Sequence, residues 1–294
     1  MLSLVTLSPL LLFQIVPTAI TSSVSSSTCP HVAKITYARS LTDTIFLCSG
    51  ALITQKHVLT TARCLHLEEK LVEYSRTNVH VGNLDNVMES FIMVVQSISI
   101  HENFQAGKRE NDAGVLKFYG EVPIMATIAP IPIGSTDMAI GTSCTICGWG
   151  LNLSEESKPG ATLNRLEISV VDKTAQQCQF ERSPLLSDDI CGSNLEVERG
   201  TCLEDTGAPL VCNGQLFGIL SPSEGCSATQ NEVSIFKDTL VYREWINQVI
   251  RESETTTIQS TSTTPADDDD LACTFGLSTM LLMVSFTCLV LNQF

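Results

Sequence analysis

An all-β protein, built as one domain stapled by disulfides, is the fold class this sequence predicts. Its 294 residues carry twelve cysteines. Short Val, Ile and Leu runs alternate with Gly, Pro and Asn punctuation, the pattern of short strands joined by turns. Cysteine usage of this kind belongs to an oxidising compartment outside the cytosol.

The N-terminal stretch is set apart from the rest. Residues 1 to about 19 hold no charged side chain, and an apolar run from Leu2 to Val16 leads to small residues at Thr18, Ala19 and Ser22. This reads as a signal peptide over residues 1–22, without the usual basic n-region. Export agrees with the cysteine count.

Three segments then carry the chemistry. Cys48-Ser-Gly-Ala-Leu-Ile-Thr-Gln-Lys-His-Val-Leu-Thr-Thr-Ala-Arg-Cys64 reads as a strand, a turn and a helical turn bounded by cysteines. Asn111-Asp112-Ala-Gly-Val-Leu-Lys-Phe118 and Cys202-Leu-Glu-Asp-Thr-Gly-Ala-Pro-Leu-Val-Cys212 follow it. His101-Glu-Asn-Phe, Cys147-Gly-Trp-Gly150, Ile190-Cys191, Gly218-Ile-Leu-Ser221 and Tyr242-Arg-Glu-Trp-Ile246 are interleaved with them. In this order, over residues 29–251, they resemble the trypsin and chymotrypsin family of serine proteases. The resemblance implies two six-stranded antiparallel β-barrels of the chymotrypsin type with a C-terminal α-helix.

The resemblance also implies disulfides Cys48–Cys64, Cys144–Cys212, Cys178–Cys191 and Cys202–Cys226. Cys29 and Cys147 are left, and are expected to form a fifth bridge because an unpaired thiol is costly in a secreted chain. Cys273 and Cys288 lie in the C-terminal tail, so that its removal leaves ten cysteines.

Matched position by position, the family's catalytic triad is altered at two of its three places. Arg63 stands where the resemblance puts the histidine base, Asp112 keeps the acid, and Thr206 replaces the serine nucleophile. A guanidinium stays protonated and offers donors alone, so Arg63 is expected to pair with Asp112 instead of serving as a base. The plainer reading of Asp112 is a carboxylate kept to satisfy nearby backbone groups. Thr206 still has a hydroxyl, although its branched Cβ restricts χ1. His31, His57, His66, His80 and His101 fall at strand or loop positions outside the triad and read as packing or surface residues.

Other family positions are changed as well. Glu204 takes the glycine that supports the oxyanion hole, Ala208 takes a second glycine, Gly200 takes the floor of the primary pocket, and Ser221-Pro222-Ser223 replaces Ser-Trp-Gly. Proline donates no N–H to a bound peptide strand. Asp205 is present, yet no Ile-Val-Gly-Gly terminus follows a basic residue before Cys29. Asn152-Leu153-Ser154 is an N-glycosylation sequon.

Toward the C-terminus, Lys237 to Arg251 carries Leu240, Val241, Trp245, Val249 and Ile250 at near-helical spacing. Residues 252–270 read as a Ser/Thr-rich stalk closed by four aspartates. Residues 271–294 hold no charged side chain, enough for a transmembrane helix. A small-residue site, a short spacer and a terminal apolar run fit a GPI-attachment signal better, with Asp270 as the attachment residue.

The net charge of −15 excludes a basic nucleic-acid face. No metal ion and no cofactor are called for. The reading is a non-catalytic protease homologue, not an enzyme, held at the extracellular surface and acting by binding a protein ligand such as a protease or inhibitor. The alternative is a weak or unusual serine-type endopeptidase that uses Thr206.

Overall fold

The computed structural model describes residues 28–83, 90–149, 163–179, 184–194, 201, 205–221 and 233–261. The chain divides into two compact units, Met1–Thr255 and Thr256–Phe294. Both barrels and the site lie in the first.

Strands β1 (Val32–Ala38), β2 (Thr44–Thr54) and β3 (His57–Thr60) are followed by a small hairpin, β4 (His66–Leu67) with β5 (Lys70–Leu71). Then come β6 (Thr77–Gly82), β7 (Ser90–Ile100) and β8 (Gly114–Phe118). The first barrel closes in the order β1-β2-β3-β8-β7-β6. The second uses β9 (Ser143–Gly148), β10 (Asn164–Val171), β11 (Asp189–Asn194), β12 (Pro209–Cys212), β13 (Gln215–Ser221) and β14 (Val233–Asp238). It closes as β10-β11-β14-β13-β12-β9. Two six-stranded antiparallel barrels with one C-terminal helix are the architecture that the sequence predicts.

Burial along the strands explains the closure. In β6 Thr77, Val79 and Val81 are buried while their neighbours are half-buried, the period-two pattern of a strand with one wet face. β3 and β8 are buried throughout, because their second face meets the other barrel. Val58 and Leu116 fill the first barrel, whereas Leu59 and Val115 join Ile219, Tyr242 and Ile246 in a separate cluster. Ile146, Leu166, Leu210 and Phe236 fill the second barrel. Full burial of each such side chain is worth about 1.5–3 kcal/mol.

Four of the expected disulfides are formed: Cys29–Cys147, Cys48–Cys64, Cys144–Cys212 and Cys178–Cys191. Cys202 and Cys226 lie outside the described residues. Cys29–Cys147 closes the longest loop, 118 residues, and ties the N-terminal segment to the second barrel. Its sulfurs pack with Val32, Trp149 and Leu163.

Helix α1 spans Thr239–Thr261, ten residues beyond the expected end at Arg251. The spacer expected from residue 252 therefore begins as helix. Asp238 Oδ1 accepts a hydrogen bond from Leu240 N at 2.9 Å, which caps the helix start. At the other end Ser253 Oγ donates to Ile250 O at 2.8 Å and Thr255 Oγ1 to Arg251 O at 3.0 Å. Hydroxyl side chains that bond back onto the preceding turn are tolerated in a helix.

Candidate active site

The site is assembled from three chain segments that the barrels hold apart in sequence and join in space. The first is β2, the turn at Gln55 and β3, which deliver a short 3₁₀ helix over Arg63–Leu65. The Cys48–Cys64 bridge pins it to β2, and Thr61 Oγ1 accepts from Cys64 N.

Asp112 enters from the loop before β8. Asn111 sits at φ +56°, a left-handed conformation that asparagine accepts more readily than most residues. Ala113 N donates to Asn111 O at 2.9 Å and His101 N to Ala113 O at 3.0 Å, so the carboxylate is carried on a braced turn. Its side chain is wholly shielded from solvent.

Arg63 engages both carboxylate oxygens. Its backbone N donates to Asp112 Oδ1 at 2.8 Å and its Nε to Oδ2 at 2.7 Å. Nη2 donates to Lys108 O at 3.1 Å. Burial pushes the Asp112 carboxyl above its ordinary value, and the charge and hydrogen bonds of Arg63 pull against that. The expected ion pair is thus formed.

The third segment carries Thr206, which is buried. Ser49 N donates to Thr206 O, Gly207 N to Leu220 O and Ala208 N to Asp205 O, each at 2.8 Å. Gly207 has φ +82°, and a Cβ there would stand 2.2 Å from Ser49 O and 2.3 Å from Thr60 Oγ1. Glycine is required on both counts. Thr60 Oγ1 in turn donates to Ser49 O at 2.8 Å. The turn after Thr206 therefore rests on the strand that leads, three residues later, to Arg63. Beneath it the fully buried Asp205 packs so closely on Gly148 that a Cβ there would meet Oδ1 at 2.3 Å.

Among the described residues, two hydroxyls near this framework, Ser49 Oγ and Ser221 Oγ, are buried without a hydrogen-bond partner. Both hydrogen bonds that Arg63 gives Asp112 come from residue 63 itself, on its main chain and side chain. Glu204, Gly200, Pro222, Asn152 and Asp270 lie outside the described residues. His57 contacts Thr54 and Ser253, His80 contacts Thr36, and His66 contacts Ala62 O.

Sequence reasoning missed a buried charge network beside the site. Lys237 Nζ lies 2.7 Å from Asp189 Oδ1 and 3.2 Å from Asp188 Oδ2, with the lysine fully shielded. Tyr242 donates its hydroxyl to Asp188, and Arg109 Nη2 reaches Asp189 Oδ2 at 2.8 Å. Arg109 stands three residues before Asp112, so the network connects the second barrel to the loop carrying the acid. A lone lysine ending the apolar run Val233-Ser-Ile-Phe236 was the available signal.

The trypsin family model matches residues 20–246. Trypsin II-P29 of Gallus gallus is 31% identical over 231 residues, covering 77% of this chain and 88% of that protein. Trypsin of Sus scrofa is 30% identical over 218 residues, covering 74% and 90%. Thrombin-like enzyme kangshuanmei of Gloydius brevicauda is 27% identical over 212 residues, covering 72% and 88%. These relatives carry the names of proteases, and that overturns the expectation that the chain is not an enzyme. By matched length, barrel order and disulfides together, this chain belongs to the trypsin family.

Proposed function

We propose that the protein works outside the cell as a serine-type endopeptidase of altered chemistry, with the Thr206 hydroxyl as the attacking group. The nucleophile turn supports this reading: Gly207 at φ +82° and the bonds from Ser49 N and Gly207 N hold the main chain on both sides of Thr206. A threonine hydroxyl attacks a carbonyl when its proton has a destination. Arg63 does not supply one, because its guanidinium stays protonated and is committed to Asp112 and Lys108. In this reading water takes the proton. Turnover then falls on the order of 10⁴-fold or more below a histidine-bearing relative.

The Arg63–Asp112 pair favours a second use of the same region, as a binding surface for an extracellular protein such as a protease or inhibitor. The disulfides support an extracellular setting. Surface attachment through the tail at 271–294, by GPI transfer to Asp270, and a glycan on Asn152 complete the reading; release by phosphatidylinositol-specific phospholipase C tests the anchor.

A fluorophosphonate probe and a broad peptide library, applied to wild-type protein and Thr206→Ala, test the chemistry. Labelling and cleavage present in wild type and lost in the variant support Thr206. No labelling and no cleavage by wild type overturn it.

A further inference from the structure

A cavity of about 400 Å³ opens on the second barrel, bordered by residues 136–140, the end of β10, β11, β13 and the start of α1. Its volume lies in the range of small-ligand sites, roughly 300–1,000 Å³. The floor is apolar, with Phe217 buried and Met138 and Leu240 half-buried. Ile140 stands on the lining and is 64% exposed. None of Arg63, Asp112 and Thr206 lines it.

Charge decides what fits. Asp137, Asp172 and Asp238 line the cavity against one cation, Lys173, whose Nζ is directed to Ser187 O at 2.9 Å. Asp172 Oδ1 accepts from Thr174 N and Oγ1, and Asp238 Oδ1 accepts from Leu240 N. Among the described residues, the second oxygen of each and the whole of Asp137 carry no hydrogen bond or ion pair. Burial raises the Asp238 carboxyl, and the amide of Leu240 and Lys173 oppose that while Asp137 and Asp188 add to it. A cation arriving here relieves that repulsion.

We infer that this cavity is a docking site, separate from the Thr206 turn, for a basic segment of another extracellular protein. An apolar side chain of that segment enters over Phe217 and Leu240. A neighbouring Arg or Lys lays its methylene stem along Ile140 and brings its charged head to Asp137 and Asp172, the usual division of such a side chain between apolar and wet surfaces.

The test uses the intact secreted protein and two fluorescent peptides, acetyl-Leu-Arg-Phe-Arg-Leu-amide and its counterpart with Glu in place of Arg, read by anisotropy. The basic peptide is expected to bind about tenfold more tightly or better, with affinity falling as salt rises. Asp137→Asn combined with Asp172→Asn keeps the Thr174 hydrogen bonds and weakens binding about fivefold or more. Ile140→Ser, at an exposed position, weakens it as well, and Thr206→Ala leaves it unchanged. Equal binding of the two peptides, wild-type affinity in the Asn double variant or in Ile140→Ser, or loss of binding in Thr206→Ala overturns the inference. The last control separates it from the proposed chemistry, whose failure leaves peptide binding untouched.

Discussion

Arg63 Nε lies 2.7 Å from Asp112 Oδ2, and the carboxylate is wholly buried while the guanidinium side chain is 29% exposed. The pair joins the 3₁₀ turn after β3 to the loop before β8, and so fastens two corners of the first barrel. Removing the arginine leaves a buried carboxylate without its cation, which typically costs about 3–5 kcal/mol. Arg63→Met is expected to lower thermal stability, and Arg63→Met with Asp112→Leu to restore most of it. Differential scanning calorimetry of the three proteins checks this; equal melting temperatures for wild type and Arg63→Met refute it.

Lys237 is the cation of a second buried group, facing Asp188 and Asp189. Lys237→Met leaves two adjacent carboxylates with Arg109 as the remaining ion-pair partner of Asp189. The expected loss is about 3–5 kcal/mol, which chemical denaturation resolves as a lower midpoint at unchanged slope. An unchanged midpoint contradicts the assignment.

His57 is buried, and burial first, with Lys117 and Lys56 adding to it, lowers its pKa to about 4. The folded imidazole thus resists a proton that the unfolded one accepts near pH 6.5. Stability from this group is present above about pH 6.5 and is lost as pH falls toward 4, since the unfolded chain binds more protons there. The local slope approaches about 1.4 kcal/mol per pH unit. Unfolding free energy measured against pH is expected to fall less steeply in His57→Gln than in wild type over that window; identical slopes exclude His57 as the source.

Gly207 is the point where main-chain geometry fixes the turn at Thr206. A Cβ would meet Ser49 O at 2.2 Å at a positive φ, so Gly207→Ala displaces the turn at Thr206. The expected result is a protein that loses fluorophosphonate labelling and about 2 kcal/mol or more of stability. Retained labelling at wild-type stability argues against that constraint.

Cys29–Cys147 spans 118 residues, and removing a native disulfide generally costs about 2–5 kcal/mol. Cys29→Ala with Cys147→Ala is expected to melt at a lower temperature in differential scanning calorimetry. A melting temperature equal to wild type weighs against a clamping role.

The amino-acid sequence alone determined the barrel class, the order of the segments, four disulfides that the structure forms and the pairing of Arg63 with Asp112. The barrels, the segment order and the disulfides are legible through the resemblance of cysteine-bounded strings to a known family, with Cys29 and Cys147 left over to pair, and the ion pair through a guanidinium whose chemistry admits few partners. Tertiary structure decided what depends on distance across the barrels. Lys237 reads as an ordinary strand residue until closure of β11 against β14 sets Asp188 and Asp189 around it and brings Arg109 over from the other barrel. The continuation of α1 through residues 252–261 was hidden for a related reason: Ser and Thr favour loops by composition, yet back-bonded hydroxyls and the docking of Ser253 against His57 and Lys117 hold the turn helical. Burial of a charge and extension of a helix are set by neighbours distant in the chain, and only the folded barrels supply those neighbours.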